Sequence, residues 1–209
     1  MSASHCPAAL DRLVSDIRAC RLCQHAPKGR PLPHEPNPIV QLSASARLLI
    51  AGQAPGARAH AAGRPFADPS GVRLRGWLAV DEATFYDARR VAIAPMGFCF
   101  PGTDARGADL PPRPQCADRW RGELLATLPR VELVLAVGRS AIDWHLPAAR
   151  VRRLAELVRD WRAILGAGSR PRCLPLPHPS WRNNAWLRDH PWFEEEVVPG
   201  LRREVRALL

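Results

Sequence analysis

Apolar residues recur in two rhythms along this chain. Leu10, Leu13, Val14 and Ile17 follow helical spacing and predict a short helix leading into Cys20. Across residues 24–38 the rhythm stops, and five prolines and a glycine predict an extended arm. From Ala46 onward, short apolar runs alternate with helical patterns. Residues 47–51 form the first run, which stops at Gly52, and residues 91–94 the second. Residues 131–137 make the third, stopped by Gly138. Residues 172–176 make a fourth, whose prolines put it near a sheet edge. Between the runs, Ser70 caps a helix through Val80, residues 116–128 suit a second helix, and a third starts near Ser140. Val151, Leu154, Val158, Trp161 and Leu165 lie on one helical face, and Leu201, Val205 and Leu208 make the last helix amphipathic.

Short strands separated by helices predict an α/β fold: a three-layer α/β/α sandwich around a short, mostly parallel four-stranded central sheet. The 209 residues suit a single domain, with residues 1–45 forming a helix and proline-rich arm. With 46% hydrophobic residues the chain can bury a sizeable core, which excludes a disordered protein. No apolar run approaches the roughly 18–20 residues of a membrane helix. The first eight residues lack a basic segment followed by an apolar one, so a cytoplasmic protein and a monomer without membrane contact are expected.

Thirty basic residues against twenty acidic ones give a net charge of +10, and Lys28 is the only lysine among the thirty. Arginine forks match phosphate oxygens, and the excess positive charge favours a polyanionic partner, although the arginine bias alone also fits a GC-rich coding sequence. Six cysteines are too sparse for a disulfide scaffold. Cys20 and Cys23 form a C-x-x-C pair, Cys99 follows the second strand, and Cys116 follows a proline-rich loop. Four such soft ligands suit an iron–sulfur cluster or structural zinc. Cys173 reads as core and Cys6 as an exposed tail thiol.

In parallel sheets, sites form at the carboxyl ends of strands. Three segments therefore converge: Gly52-Gln53-Ala54-Pro55-Gly56, Pro95 to Cys99, and His178-Pro179-Ser180. Each has an ordinary reading. The first is a common strand-to-helix turn, His178 a surface imidazole, Asp68 a helix cap, and Phe66 a core residue.

Taken in order, the Gly52–Gly56 turn, Gly63-Arg64-Pro65-Phe66 with Asp68-Pro69-Ser70-Gly71, then Val137 to Ser140, then His178 to Ser180 resemble the uracil-DNA glycosylase superfamily. The resemblance is greatest to its iron–sulfur branches, families four and five, and runs from about Ile17 to the C-terminus. It implies a four-iron four-sulfur cluster on Cys20, Cys23, Cys99 and Cys116, with structural zinc as the alternative. It implies hydrolysis of the bond between a deaminated base and deoxyribose in DNA. Phe66 would stack on the flipped base, and Gly52, Ala54, Pro55, Gly56 and Ser180 would line its pocket. His178 would face the developing anion, and Asp68 would hold water and oppose positive charge on the sugar. Gln53 stands where family four usually has Glu, and can orient water but not act as a base. Pro95 stands where family four reads uracil with Asn. Arg58, Arg64, Arg73, Arg182 and Asn183 are the expected DNA contacts. Trp181 or Arg182 would fill the hole left by the flipped base, unless Trp181 packs with Trp186 on the last helices. A nucleic-acid binder on the same fold that does not cleave is the alternative to an enzyme.

Overall fold

The computed structural model describes residues 7–209, so Cys6 lies outside the described residues. The chain runs α1 (Pro7–Ala19), α2 (Leu22–His25), β1 (Leu48–Ala51), α3 (Ala57–Ala62), α4 (Pro69–Leu78), α5 (Glu82–Phe85), β2 (Val91–Ile93), α6 (Pro114–Ala126), β3 (Leu133–Val137), α7 (Arg139–His145), α8 (Leu154–Arg159), α9 (Trp161–Leu165), β4 (Arg172–Leu176), α10 (Asn184–Asp189) and α11 (Val198–Arg206).

The four strands form one sheet in the order β2-β1-β3-β4, and every pairing is parallel. Strands buried on both faces must be apolar throughout, as β1 and β3 are. Leu48, Ile50, Ile93, Leu135 and Leu174 pack with Leu74 and Trp77 of α4, Trp161 of α9 and Leu201 of α11. The alternate residues Leu49, Ala51, Ala92, Ala94, Val134 and Ala136 meet Leu13 and Ile17 of α1, Trp120 and Leu124 of α6, and Ile142 of α7. The alanines on this face let the covering helices approach closely. Cys173 is buried there, as expected of a core residue, and β4 is an edge strand.

Several elements depart from the reading of the sequence. Asp68, not Ser70, caps α4: its Oδ1 accepts from the Gly71 N–H at 3.0 Å. The face spanning Val151 to Leu165 breaks into α8 and α9 at Asp160, and Val151 stands 94% exposed before either helix. The arm begins with a helical turn, α2, and only then becomes irregular. It lies along the second strand and its exit: Gln41 and Ile93 exchange backbone hydrogen bonds of 2.9 and 2.7 Å, and the Ile39 N–H donates to Phe98 O at 2.8 Å.

Among the described residues, one charged side chain is fully buried. Arg121 of α6 donates to Ala94 O at 2.7 Å and to His145 Nε2 at 2.6 Å. Burial, and then the neighbouring guanidinium, push His145 down to about 3, so it stays neutral and accepts that bond. No helix among the described residues is long and apolar enough to cross a membrane.

Candidate active site

At the carboxyl ends of β1, β2 and β4 the chain leaves a small cavity of about 70 Å³. Gly52, Gln53, Ala54, Pro55 and Gly56 line it after β1, Pro95 after β2, and His178 and Ser180 after β4. Phe66, Asp68 and Ser70 enter from the α3–α4 connection. A wider groove of about 500 Å³ opens beside it, lined by Arg58, Arg73, Trp181 and Arg182 and sharing Gly56, Asp68 and Ser180 with the cavity. A larger cavity, about 940 Å³, lies at the other end of β3 and β4, beside Val131 and Arg172, and contains none of the motif residues.

The local backbone explains the motif around Phe66. Phe66 has φ +55°, a left-handed conformation that costs a non-glycine residue energy and is held only where its surroundings require it. Its ring tip lies 3.1 Å from where a β-carbon on Gly52 would stand, and its edge meets Phe85 with ring centres 6.2 Å apart. Its carbonyl oxygen sits against the β-carbon position of Gly71, and its own β-carbon is 2.9 Å from that point. Any side chain there would collide with backbone, so the fourth residue of Asp68-Pro69-Ser70-Gly71 has to be glycine. Asp68 is thereby fixed as well, because its Oδ1 caps the same turn while Oδ2 is directed toward Gly56.

His178 is held by its flanking prolines and by Asn183, whose Nδ2 donates to the His178 carbonyl at 2.7 Å. Burial pushes the imidazole down to about 4, against a smaller upward pull from Asp68. At neutral pH it is therefore a neutral ring that can donate one hydrogen bond without bringing a charge into the cavity. Arg73 Nη1 donates to Ser180 O at 3.2 Å, tying α4 to the same loop. The carbonyls of Gly52 and Gln53 accept from Met96 and Gly97 N–H at 2.9 and 2.8 Å, which fastens the first turn to the segment after β2. Ser140 Oγ lies 3.4 Å from Gln53 Oε1, a long hydrogen bond that steadies the amide.

Two expected DNA contacts stand elsewhere. Arg64 pairs with Glu82 at 2.9 Å and lies 4.0 Å over the Tyr86 ring, outside the lining of the groove. Asn183 supports the His178 loop from behind. The two tryptophans divide the alternatives. Trp186 stacks on His190 with ring centres 4.4 Å apart and packs against the core, whereas Trp181 is 69% exposed with Arg182 5.2 Å over its ring. Asp109 also lines the cavity and was not singled out from the sequence. It is an isolated acid on an exposed loop, with no periodicity or spacing to mark it.

Cys20, Cys23, Cys99 and Cys116 line one further cavity, with Pro36, Pro38, Phe98 and Trp120 around them. Gln115 Nε2 donates to Cys23 Sγ and the Phe98 N–H donates to Cys116 Sγ, each at 3.4 Å. Burial pushes the Cys99 and Cys116 thiols up to about 12. Among the described residues no three His, Cys, Asp or Glu side chains are placed to hold a metal ion as they stand.

Residues 39–202 match the family model described as the Uracil DNA glycosylase superfamily. The matched span contains both the cavity and the groove, and begins after Cys20 and Cys23.

Proposed function

The chain belongs to the uracil DNA glycosylase superfamily, and from that premise we propose that it is a base-excision glycosylase hydrolysing the N-glycosidic bond of uracil or another deaminated base in DNA. The observation that carries this reading is the convergence of a neutral His178, the Asp68 carboxylate and the Phe66 ring on one small cavity beside a groove bearing Arg58, Arg73 and Arg182.

A base inside a duplex is out of reach, so the target nucleotide must swing out of the stack. The small cavity suits the base and the wider groove suits the backbone. Phe66 stacks on the flipped ring, and the Gly52–Gly56 turn with Ser180 lines its edge. As the glycosidic bond breaks, negative charge grows on the base and positive charge on the sugar. His178 donates to the base, where a preorganised neutral donor is worth most. Asp68, through the oxygen its helix does not use, opposes the sugar cation. Gln53 carries no charge and orients. Arg58, Arg73 and Arg182 hold phosphates, and Trp181, exposed at the groove, fills the space the base leaves. Pro95 offers no side-chain hydrogen bond, so the pocket has no amide there to select uracil, and deaminated purines enter the substrate range.

The four cysteines fit a four-iron four-sulfur cluster by their chemistry: four soft donors around one cavity, two of them already accepting N–H hydrogen bonds of the kind that tune cluster sulfurs. Such a cluster would supply a rigid anchor between the arm, through Cys20 and Cys23, and the core, through Cys99 and Cys116. Brown protein with about four irons per chain is the expected result, and one equivalent of zinc in colourless protein would replace the cluster.

The function is tested by incubating the protein with single- and double-stranded oligonucleotides carrying uracil, hypoxanthine or xanthine and measuring released base. Release from at least one substrate is expected. Tight DNA binding with no release from any would make the protein a binder.

A further inference from the structure

We propose that Asp109 is a second catalytic carboxylate of this site, holding the attacking water together with Asp68. The inference rests on the glycosylase reading and adds a residue to it.

Asp109 reaches the cavity on a small hairpin between β2 and α6. Thr103 and Asp109 bridge antiparallel, the Leu110 N–H donates to Gly102 O at 2.9 Å, and Asp104 Oδ1 closes the tip by accepting from the Arg106 and Ala108 N–H groups at 2.9 and 2.8 Å. Arg182 Nη2, from the loop that carries His178, donates to Gly107 O at 3.3 Å and steadies the hairpin across the groove. Asp109 Oδ2 then lies 3.2 Å, and Asp68 Oδ2 3.8 Å, from the point where a Gly56 β-carbon would stand. The two carboxylates therefore flank the hydrogen of a glycine, with room between them that a methyl group would fill. Asp68 is partly engaged, since Oδ1 caps α4. The Asp109 carboxylate makes no side-chain hydrogen bond or ion pair among the described residues, and it faces the site where Gln53 cannot serve as a base.

Its surroundings also suit a base. Burial raises the Asp109 carboxyl above its usual value, Arg182 pulls it down, and Asp68 raises it again. A carboxylate with a raised value takes a proton more readily. The other charged or titratable groups facing this space are His178, Arg58 and Arg73. In the step proposed, the water oxygen bonds to C1′ as the C1′–N bond breaks. The bond pair leaves on the base, whose anion faces His178. The water proton passes to Asp109, and the freed base takes a proton from solvent.

The test is single-turnover base release across pH for wild type, Asp109→Asn, Asp109→Glu and Gly56→Ala, with DNA affinity and melting temperature measured on each. Asp109→Asn is expected to slow release about 100-fold, the lower range for general-base loss. It should bind DNA as tightly as wild type or more tightly, because a negative charge has left the groove, and it should lose the fall in rate on the acid side. Asp109→Glu should recover part of the rate together with that acid limb, a recovery that mere surface packing would not produce. Gly56→Ala should slow release with both carboxylates intact. An Asp109→Asn protein within twofold of wild type, with its acid limb unchanged, overturns the proposal while the glycosylase reading stands. A wild type that releases no base from any substrate overturns both.

Discussion

In the small cavity at the strand ends, the chain itself supplies what fixes each side chain. Phe66 is locked by a left-handed backbone against Gly71 and Gly52, Asp68 by the helix it caps, and His178 by two prolines and Asn183. In the four-cysteine cavity, Cys99 and Cys116 belong to the core, Cys20 follows α1 and Cys23 lies in the single turn of α2, and the sulfurs are oriented by N–H···S contacts alone among the described residues. The regions share a wall: Pro95 lines the first and Cys99 the second, four residues apart on the exit of β2. The contrast separates a site organised by backbone geometry from one whose order, on the proposed cluster reading, would depend on a bound metal.

Replacing Cys99 and Cys116 together by Ser should sharpen that contrast most. Metal binding couples directly to folding, and structural sites contribute on the order of 10 kcal/mol. We expect loss of bound metal and rapid proteolysis within residues 24–38, while the sheet still unfolds cooperatively. An arm as resistant as in wild type would put its order in the Gln41–Ile93 bridge instead.

Arg121 underlies both regions, because it holds the Ala94 carbonyl where the shared wall leaves β2. Arg121→Ala would strand that carbonyl and His145 in the interior and leave a cavity, and should cost about 3 kcal/mol by urea unfolding, whereas Arg121→Met loses the same bonds and buried charge but fills the space with apolar atoms and should cost less. Equal losses in the two variants would contradict this account.

Acid separates the regions differently. His178 and His145 are held neutral, at about 4 and about 3, against an ordinary 6.5. Unfolding lets both take protons. Their contribution is complete above about pH 6.5 and is lost as pH falls toward 4 for His178 and 3 for His145. Melting temperature should decline over that window, and His178→Gln should flatten the upper part of the decline.

The smallest expected effect is on the rim. Removing Arg58, Arg73 or Arg182 should lower the slope of log affinity against log salt by up to about 0.9 for each phosphate no longer neutralised. Arg64→Gln should leave it unchanged, since Arg64 is spent on Glu82 and Tyr86.

Much of this arrangement was legible beforehand. The four apolar runs became four parallel strands, and the segments expected to converge at the strand ends do line one cavity. The failures were short-range or tertiary. Asp160 breaks a helical face that periodicity carries straight through, because the pattern does not register one residue leaving helical geometry. The expected Ser70 cap is not made, while the ordinary reading of Asp68 as a helix cap holds; both types cap, and the fold selects between them. Arg64 finds Glu82 eighteen positions away and Asp109 reaches Gly56 across a hairpin, and neither meeting has a spacing to betray it.

The central claim is that His178 and Asp68 act on opposite sides of one breaking bond. Single-turnover base release from the best substrate, in Asp68→Asn and His178→Ala proteins saturated with DNA, tests it most directly. Each should be slowed about 100-fold or more, roughly 3 kcal/mol of transition-state stabilisation, with melting temperature near wild type, while Gln53→Ala loses only about tenfold. Full activity in Asp68→Asn would contradict the account.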